Sequence, residues 1–169
     1  MRIPCKFNVQ VAGLGYLEET GNADIKENTK LELPVWLAGI LSGIPIMSEE
    51  GEEVRLLDLL PPDAFNKKII NSIKSNSVNL SLRSVLPNFY SLAERWCFWF
   101  EDAAFVEIIQ QMLKDRSVVM NDYSFNLNST NSSNNDEISR FVHSLDNLEK
   151  EIFMVCVASH KDAKQWLNS

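Results

Sequence analysis

A pair of prolines, Pro61-Pro62, divides this chain into two stretches with different apolar periods. Proline has no backbone N–H to give to a helix interior or a central strand, so a pair of them interrupts any element that reaches it. Before the pair, apolar residues alternate or sit between turn residues. After it, they recur at helical spacing. The division predicts an α+β chain, predominantly α, with a small β-rich domain over residues 1–60 and an α-helical domain over 61–169.

In the first stretch, Lys6-Phe7-Asn8-Val9-Gln10-Val11 alternates polar and apolar, as a half-buried strand does. Gly13-Leu14-Gly15 breaks it, and Tyr16-Leu17 begins a second short strand. Gly21-Asn22 and the polar run to Lys30 read as a loop. Thr29 to Ala38 then turns helical, with Pro34 fitting a first helical turn, which predicts a short helix near 34–42 limited by Gly39 and Gly43. Ile44 to Met47 is extended, Glu49 to Glu53 a solvated turn, and Val54 to Leu60 a strand returning to the first.

Beyond Pro62 the pattern is helical. Pro61-Pro62-Asp63 caps a helix through Phe65, Ile69, Ile70 and Ile73, and a second runs from near Leu86-Pro87 to Phe100. A third carries the stripe Phe105, Val106, Ile109, Met112 and Leu113. Residues 126–137 are polar and low in complexity, which predicts a mobile loop, and a last helix spans about Asp136 to Ala158.

Charge and cysteine usage narrow the function. Lys and Arg number 16 against 23 Asp and Glu, a net charge of -7, and no dense basic patch stands out, which argues against a dedicated nucleic-acid binder. Cys5, Cys97 and Cys156 are odd in number and far apart, which suggests a reducing compartment rather than a disulfide framework. Met1 to Lys6 lacks the apolar core of a signal peptide, and no run approaches the ~20 apolar residues of a membrane helix. The Asn-x-Ser/Thr matches at Asn79, Asn128 and Asn131 read as chance matches.

Reactive chemistry finds little support. Gly13-Leu14-Gly15 lacks the third glycine, following helix and lysine of a phosphate loop, and reads as a turn. Cys156 and His160 are two metal ligands of the four a site needs, and His143 stands apart from them. Cys97 lies in Trp96-Cys97-Phe98-Trp99-Phe100, apolar surroundings that raise a thiol pKa and predict an inert core cysteine. No catalytic, cofactor-binding or metal residues are assigned. The acidic clusters Glu18-Glu19 and Glu49 to Glu53 read as solvated loops.

The informative feature is excess apolar surface. On a helical wheel, residues 86–100 fill an arc of ~180° with apolar side chains, and Phe98 intrudes into the polar side. The last helix carries Ile138, Phe141, Val142, Leu145, Leu148, Ile152, Val155 and Cys156 as one stripe, and becomes apolar all round over Ile152 to Ala158. A helical domain this small has limited room to enclose both, which tilts the reading toward burial against another subunit. Trp36, Leu37, Phe98, Trp99, Phe153, Met154 and Val157 are the candidate interface residues on that ground.

Three stretches carry a family resemblance: Ile3-Pro4-Cys5-Lys6-Phe7, Gly13-Leu14-Gly15-Tyr16-Leu17, and Thr29-Lys30-Leu31-Glu32-Leu33-Pro34-Val35-Trp36-Leu37-Ala38. In this order, with Phe89-Tyr90 in the helical half, the chain resembles the third subunits of the eukaryotic GINS complex. The resemblance covers most of the chain, and the Lys-Leu-Glu-Leu-Pro-x-Trp-Leu-Ala run is its most specific part. It implies a heterotetramer of four related subunits, each with a helix-rich A domain and a small B domain, the B domain coming first here. It implies a nuclear, non-catalytic scaffold that joins the Mcm hexamer and its Cdc-type cofactor in the replicative helicase and links it to DNA polymerase epsilon. One departure is that family members carry an acidic, tyrosine-containing segment before the Cys-Lys-Phe strand, whereas Cys5 stands four residues after the first.

The expectation is therefore a structural subunit with three GINS partners, the helicase and the polymerase as wider partners, no cofactor, no membrane, and little or no direct nucleic-acid contact. The alternatives are a free-standing protein-interaction module, or a small thiol enzyme built around Cys97 or His143.

Overall fold

Alternation at the N-terminus sets the first sheet. Strand β1, Arg2–Phe7, points Ile3, Cys5 and Phe7 into the core, where all three are fully buried. It pairs antiparallel on one side with β2, Lys30–Pro34, in the register Ile3 to Leu33 and Cys5 to Leu31. On the other side it pairs with β5, Leu57–Leu59, through Cys5 and Leu59. A separate hairpin pairs β3, Pro45–Met47, with β4, Glu53–Arg55. Helix α1, Val35–Ser42, lies between β2 and β3 and buries Val35 and Ala38. The structure, a computed structural model, describes residues 1–18, 23–47, 51–127 and 132–168, with the backbone alone at 18 and 132–134.

The chain divides into two units, Met1–Asn66 and Lys67–Ser169. The second unit is helical: α2 Lys67–Asn76, α3 Leu82–Val85, α4 Phe89–Phe100, α5 Ala103–Asn126, α6 Ser132–Ser144 and α7 Asn147–Leu167. Helices α4 and α5 are separated by Glu101, which adopts the left-handed conformation at φ 48°. Asp102 then caps α5, its side chain accepting from the Phe105 N–H at 3.0 Å. One core cluster joins Met120 of α5, Ile138 and Phe141 of α6, Leu145, and Phe153 of α7.

The fold is α+β and mostly helical, as the two apolar periods imply. Several elements differ from expectation. Thr29 to Ala38 is not one helix, because Lys30 to Pro34 is strand β2. Proline disfavours helical backbone in the residue before it, so Leu33 stays extended and the helix begins only at Val35. The first strand ends at Phe7, and Val11 forms only an isolated bridge with Ile25. Tyr16-Leu17 lies in a 3₁₀ turn, Gly15–Glu18, not a strand. Val54 to Leu60 is two strands, because Leu56 turns inward between them and donates its N–H to the Ile44 carbonyl. The helix expected from Pro61 is a 3₁₀ turn, Asp63–Phe65, followed by extended Asn66 and then α2.

The polar stretch 126–137 is not a loop throughout. Asn126 is the last residue of α5, and Ser132 onward is the backbone of α6. Ile138, Phe141 and Leu145 dock into the core and hold α6 in place, so tertiary packing overrides the loop-forming composition ahead of them. Residues 128–131, together with Gly21-Asn22 and Glu49-Glu50, lie outside the described residues. The last helix is also not continuous. It breaks at Leu145-Asp146, where a reciprocal capping box restarts the chain as α7.

Candidate functional site

The densest polar cluster in the helical unit is closed. Arg116 of α5 and Glu149 of α7 are fully buried, and their ion pair is bidentate, with Nε to Oε1 at 2.6 Å and Nη2 to Oε2 at 2.9 Å. The Tyr90 hydroxyl donates to Glu149 Oε1 at 2.9 Å, and the Asp146 N–H donates to Oε2 at 3.3 Å. Each carboxylate oxygen of Glu149 therefore accepts two donors, which is its full capacity. Arg116 Nη1 donates to the carbonyls of Ser77, Val78 and Leu80, holding the segment after α2, and the guanidinium lies over the Phe141 ring of α6.

Asp146 completes the cluster. Its carboxylate accepts from the N–H of Glu149 at 2.8 Å and from that of Tyr90 at 3.3 Å. Burial raises its pKa, opposed by those amide hydrogen bonds. Burial, then the Glu149 charge and hydrogen bond, raise the Tyr90 phenol above its ordinary value, so it stays a donor. With its principal donors and acceptors matched, the cluster acts as a clamp joining α4, α5, α6 and α7.

Reactive groups elsewhere are dispersed. Among the described residues, no group of three or more His, Cys, Asp and Glu could hold a metal. No described helix is long and apolar enough to cross a membrane. Cys97 is half-buried, not in the core, and burial and then the Asp102 charge raise its thiol pKa. Burial pushes Cys5 up to about 11. Both thiols are thus held neutral, the weakly nucleophilic form.

The exposed surface carries apolar side chains on several helices. Helix α7 buries Phe153, 2% exposed, in the core cluster, with Val157 packed beside it. Roughly half a turn of the wheel away, Leu148, Ile152 and Val155 form a second stripe at the spacing i, i+4, i+7, and Val155 is 68% exposed. On α4, Phe98 is 83% exposed among Glu94 and Arg95, where its place on the polar side of the wheel puts it, and Trp99 is half-buried. On α1, Trp36 is 64% exposed, with Ile40 exposed and Leu37 half-buried.

Of the seven interface candidates, Trp36, Phe98 and Met154 face solvent, and Leu37, Trp99 and Val157 are partly covered. Phe153 is a correction. It belongs to the chain's own core, because its direction on α7 points at Met120 and Phe141, so it has no surface to offer a partner. Sequence reasoning passed over Leu148, Ile152 and Val155 as candidates. It merged them with the core stripe of α6, and only the break at Asp146 rotates them outward. The buried Arg116 was also passed over, as a single charge within an otherwise apolar stripe.

Comparison with known proteins gives a consistent result. Residues 1–43 match the family described as the PSF3 N-terminal domain. The chain is 43% identical to the DNA replication complex GINS protein PSF3 of Debaryomyces hansenii, over 98% of this chain and 90% of that protein. It is 39% identical to the protein of that name from Saccharomyces cerevisiae, over 97% and 90% of the two chains. Against the Kluyveromyces lactis protein the figures are 36%, 98% and 91%.

Proposed function

This chain belongs to the PSF3 family of DNA replication complex GINS proteins, and on that premise we propose that it is a non-catalytic structural subunit of a GINS heterotetramer. In this reading, unit Met1–Asn66 is the B-type domain and unit Lys67–Ser169 the A-type domain. The assembly works in the nucleus as part of the replicative helicase with the Mcm hexamer and its Cdc-type cofactor. It supports initiation and elongation of DNA replication and connects to DNA polymerase epsilon.

The observation that carries the scaffold role is the second apolar stripe of α7, Leu148, Ile152 and Val155. The charge and hydrogen bonds of Glu149, on the adjoining buried face of this helix, are satisfied within the chain. Exposed apolar rows of this kind mark protein interfaces. Trp36, Phe98, Trp99 and Met154 are further contact positions in the same reading. The role asks nothing of Cys97 or His143.

Co-expression with the three other GINS subunits, followed by sizing with light scattering, tests the proposal. One species containing the four chains in equal amounts is expected. A chain that stays monomeric and soluble at high concentration, and leaves the other three behind, would rule the proposal out.

A further inference from the structure

The C-terminal halves of α5 and α7 enclose a groove of about 570 Å³, within the range of small ligand and peptide sites. Phe125, 54% exposed, forms its floor on the α5 side. The His160 ring meets Phe125 edge-on with centroids 5.4 Å apart, and Lys164 Nζ lies 4.8 Å over the face of the same ring. Lys161 is exposed one residue beyond His160. The remaining lining is Val157 and uncharged polar side chains, and among the described residues no Asp or Glu is part of it.

That local charge runs against the whole. The chain carries -7 overall, yet this groove gathers two lysines around an exposed aromatic ring with no acid among its lining residues. Asp162, the nearest acid along α7, falls roughly half a turn of the wheel from Lys164 and faces elsewhere. The groove also lies on a different side of α7 from Leu148, Ile152 and Val155, so a subunit seated on that stripe does not take the groove's residues.

We propose that this groove docks an acidic peptide segment with one aromatic or large apolar side chain, contributed by another protein. The apolar side chain packs on Phe125 and Val157, while carboxylates on either side of it meet Lys161 and Lys164. Peptide rather than nucleic acid fits because this short groove on an acidic chain gathers only two lysines, whereas strand binding needs a basic track along several phosphates. The proposal goes beyond the GINS reading, and its test does not depend on tetramer formation.

The experiment measures fluorescence anisotropy of the full chain with a labelled twelve-residue Asp/Glu-rich peptide carrying one Phe. The control peptide replaces each acid by its amide. A Lys161→Glu, Lys164→Glu double variant, shown to keep its helical circular dichroism, should bind the acidic peptide about tenfold more weakly, as loss and reversal of two exposed ion pairs implies. Phe125→Ala should weaken it about threefold, by removing the aromatic floor and its lysine contact. Affinity should also fall as salt rises from about 0.05 M to about 0.5 M. No binding of the acidic peptide by the wild type would overturn the proposal. So would equal affinity for the amide peptide, unchanged binding by the charge-reversed variant, or tighter binding of a single-stranded oligonucleotide than of the peptide.

Discussion

Helix α7 carries a buried charge beside its apolar core contact and, on an adjoining face, an exposed apolar row. The side turned into the chain carries a buried carboxylate, Glu149, matched to Arg116, Tyr90 and the Asp146 amide. The side turned outward carries Leu148, Ile152 and Val155. A buried ion pair is seldom a net source of stability compared with apolar packing, but breaking one is expensive. An exposed apolar row contributes little to the folding of the chain that carries it. The inner side is thus matched within this polypeptide, and in the proposed reading the outer side is covered by another subunit.

Removing one partner of the inner pair should have the largest effect. Arg116→Ala leaves Glu149 buried and uncompensated, and should cost about 3–5 kcal/mol in chemical denaturation. Replacing both partners, Arg116→Met with Glu149→Leu, should recover the part of that loss due to the uncompensated charge, but not the hydrogen bonds to Tyr90, the Asp146 N–H and the Ser77, Val78 and Leu80 carbonyls. If the double variant were no better than the single ones, the matching described for this cluster would be wrong. Phe153→Ala, in the core next to the clamp, should cost about 3 kcal/mol by leaving a cavity.

A smaller effect is readable through pH. The folded Tyr90 pKa lies above its unfolded value, so the contribution of the neutral phenol is complete below the unfolded value of about 10 and fades as pH rises beyond it. Tyr90→Phe should cost about 1 kcal/mol at neutral pH, because Glu149 loses a donor, and should flatten the alkaline loss of stability. Denaturant midpoints of both proteins from pH 8 to about 11 check this. A parallel alkaline decline in the two would assign the slope to other groups.

How much of this was legible in the sequence depends on the range of the interaction. The alternation read over Lys6 to Val11 overlaps β1 only at Lys6-Phe7, whereas the stripe of α5 follows from its helical spacing, a local signal. The break before α7 was present as Asp146-Asn147-Leu148-Glu149, a capping signature, but continuous apolar periodicity on both sides hid it. The Arg116–Glu149 pair joins residues of two helices, and nothing local in either segment specifies the other. The Ser- and Asn-rich start of α6 reads as loop, and the rest, with its anchors Ile138 and Phe141, reads as the beginning of one continuous last helix, because the end of α6 is set only by the tertiary core. The candidate surface was legible as an excess of apolar residues, but not by residue. Phe153 fell on the inner side and Val155 on the outer, two positions apart, and only the angle of the docked helix separates them.

The outer side should show the smallest effect on folding and the sharpest on association. Ile152→Ser with Val155→Ser changes exposed positions, so the stability of the isolated chain should move by less than about 1 kcal/mol. The decisive measurement is light scattering after co-expression of this double variant with the three other GINS subunits, beside the wild type. The wild type should elute within a four-chain species, and the variant should be absent from it while retaining its own thermal midpoint. A variant that enters the complex in equal amount would contradict the assignment of this stripe as the assembly face.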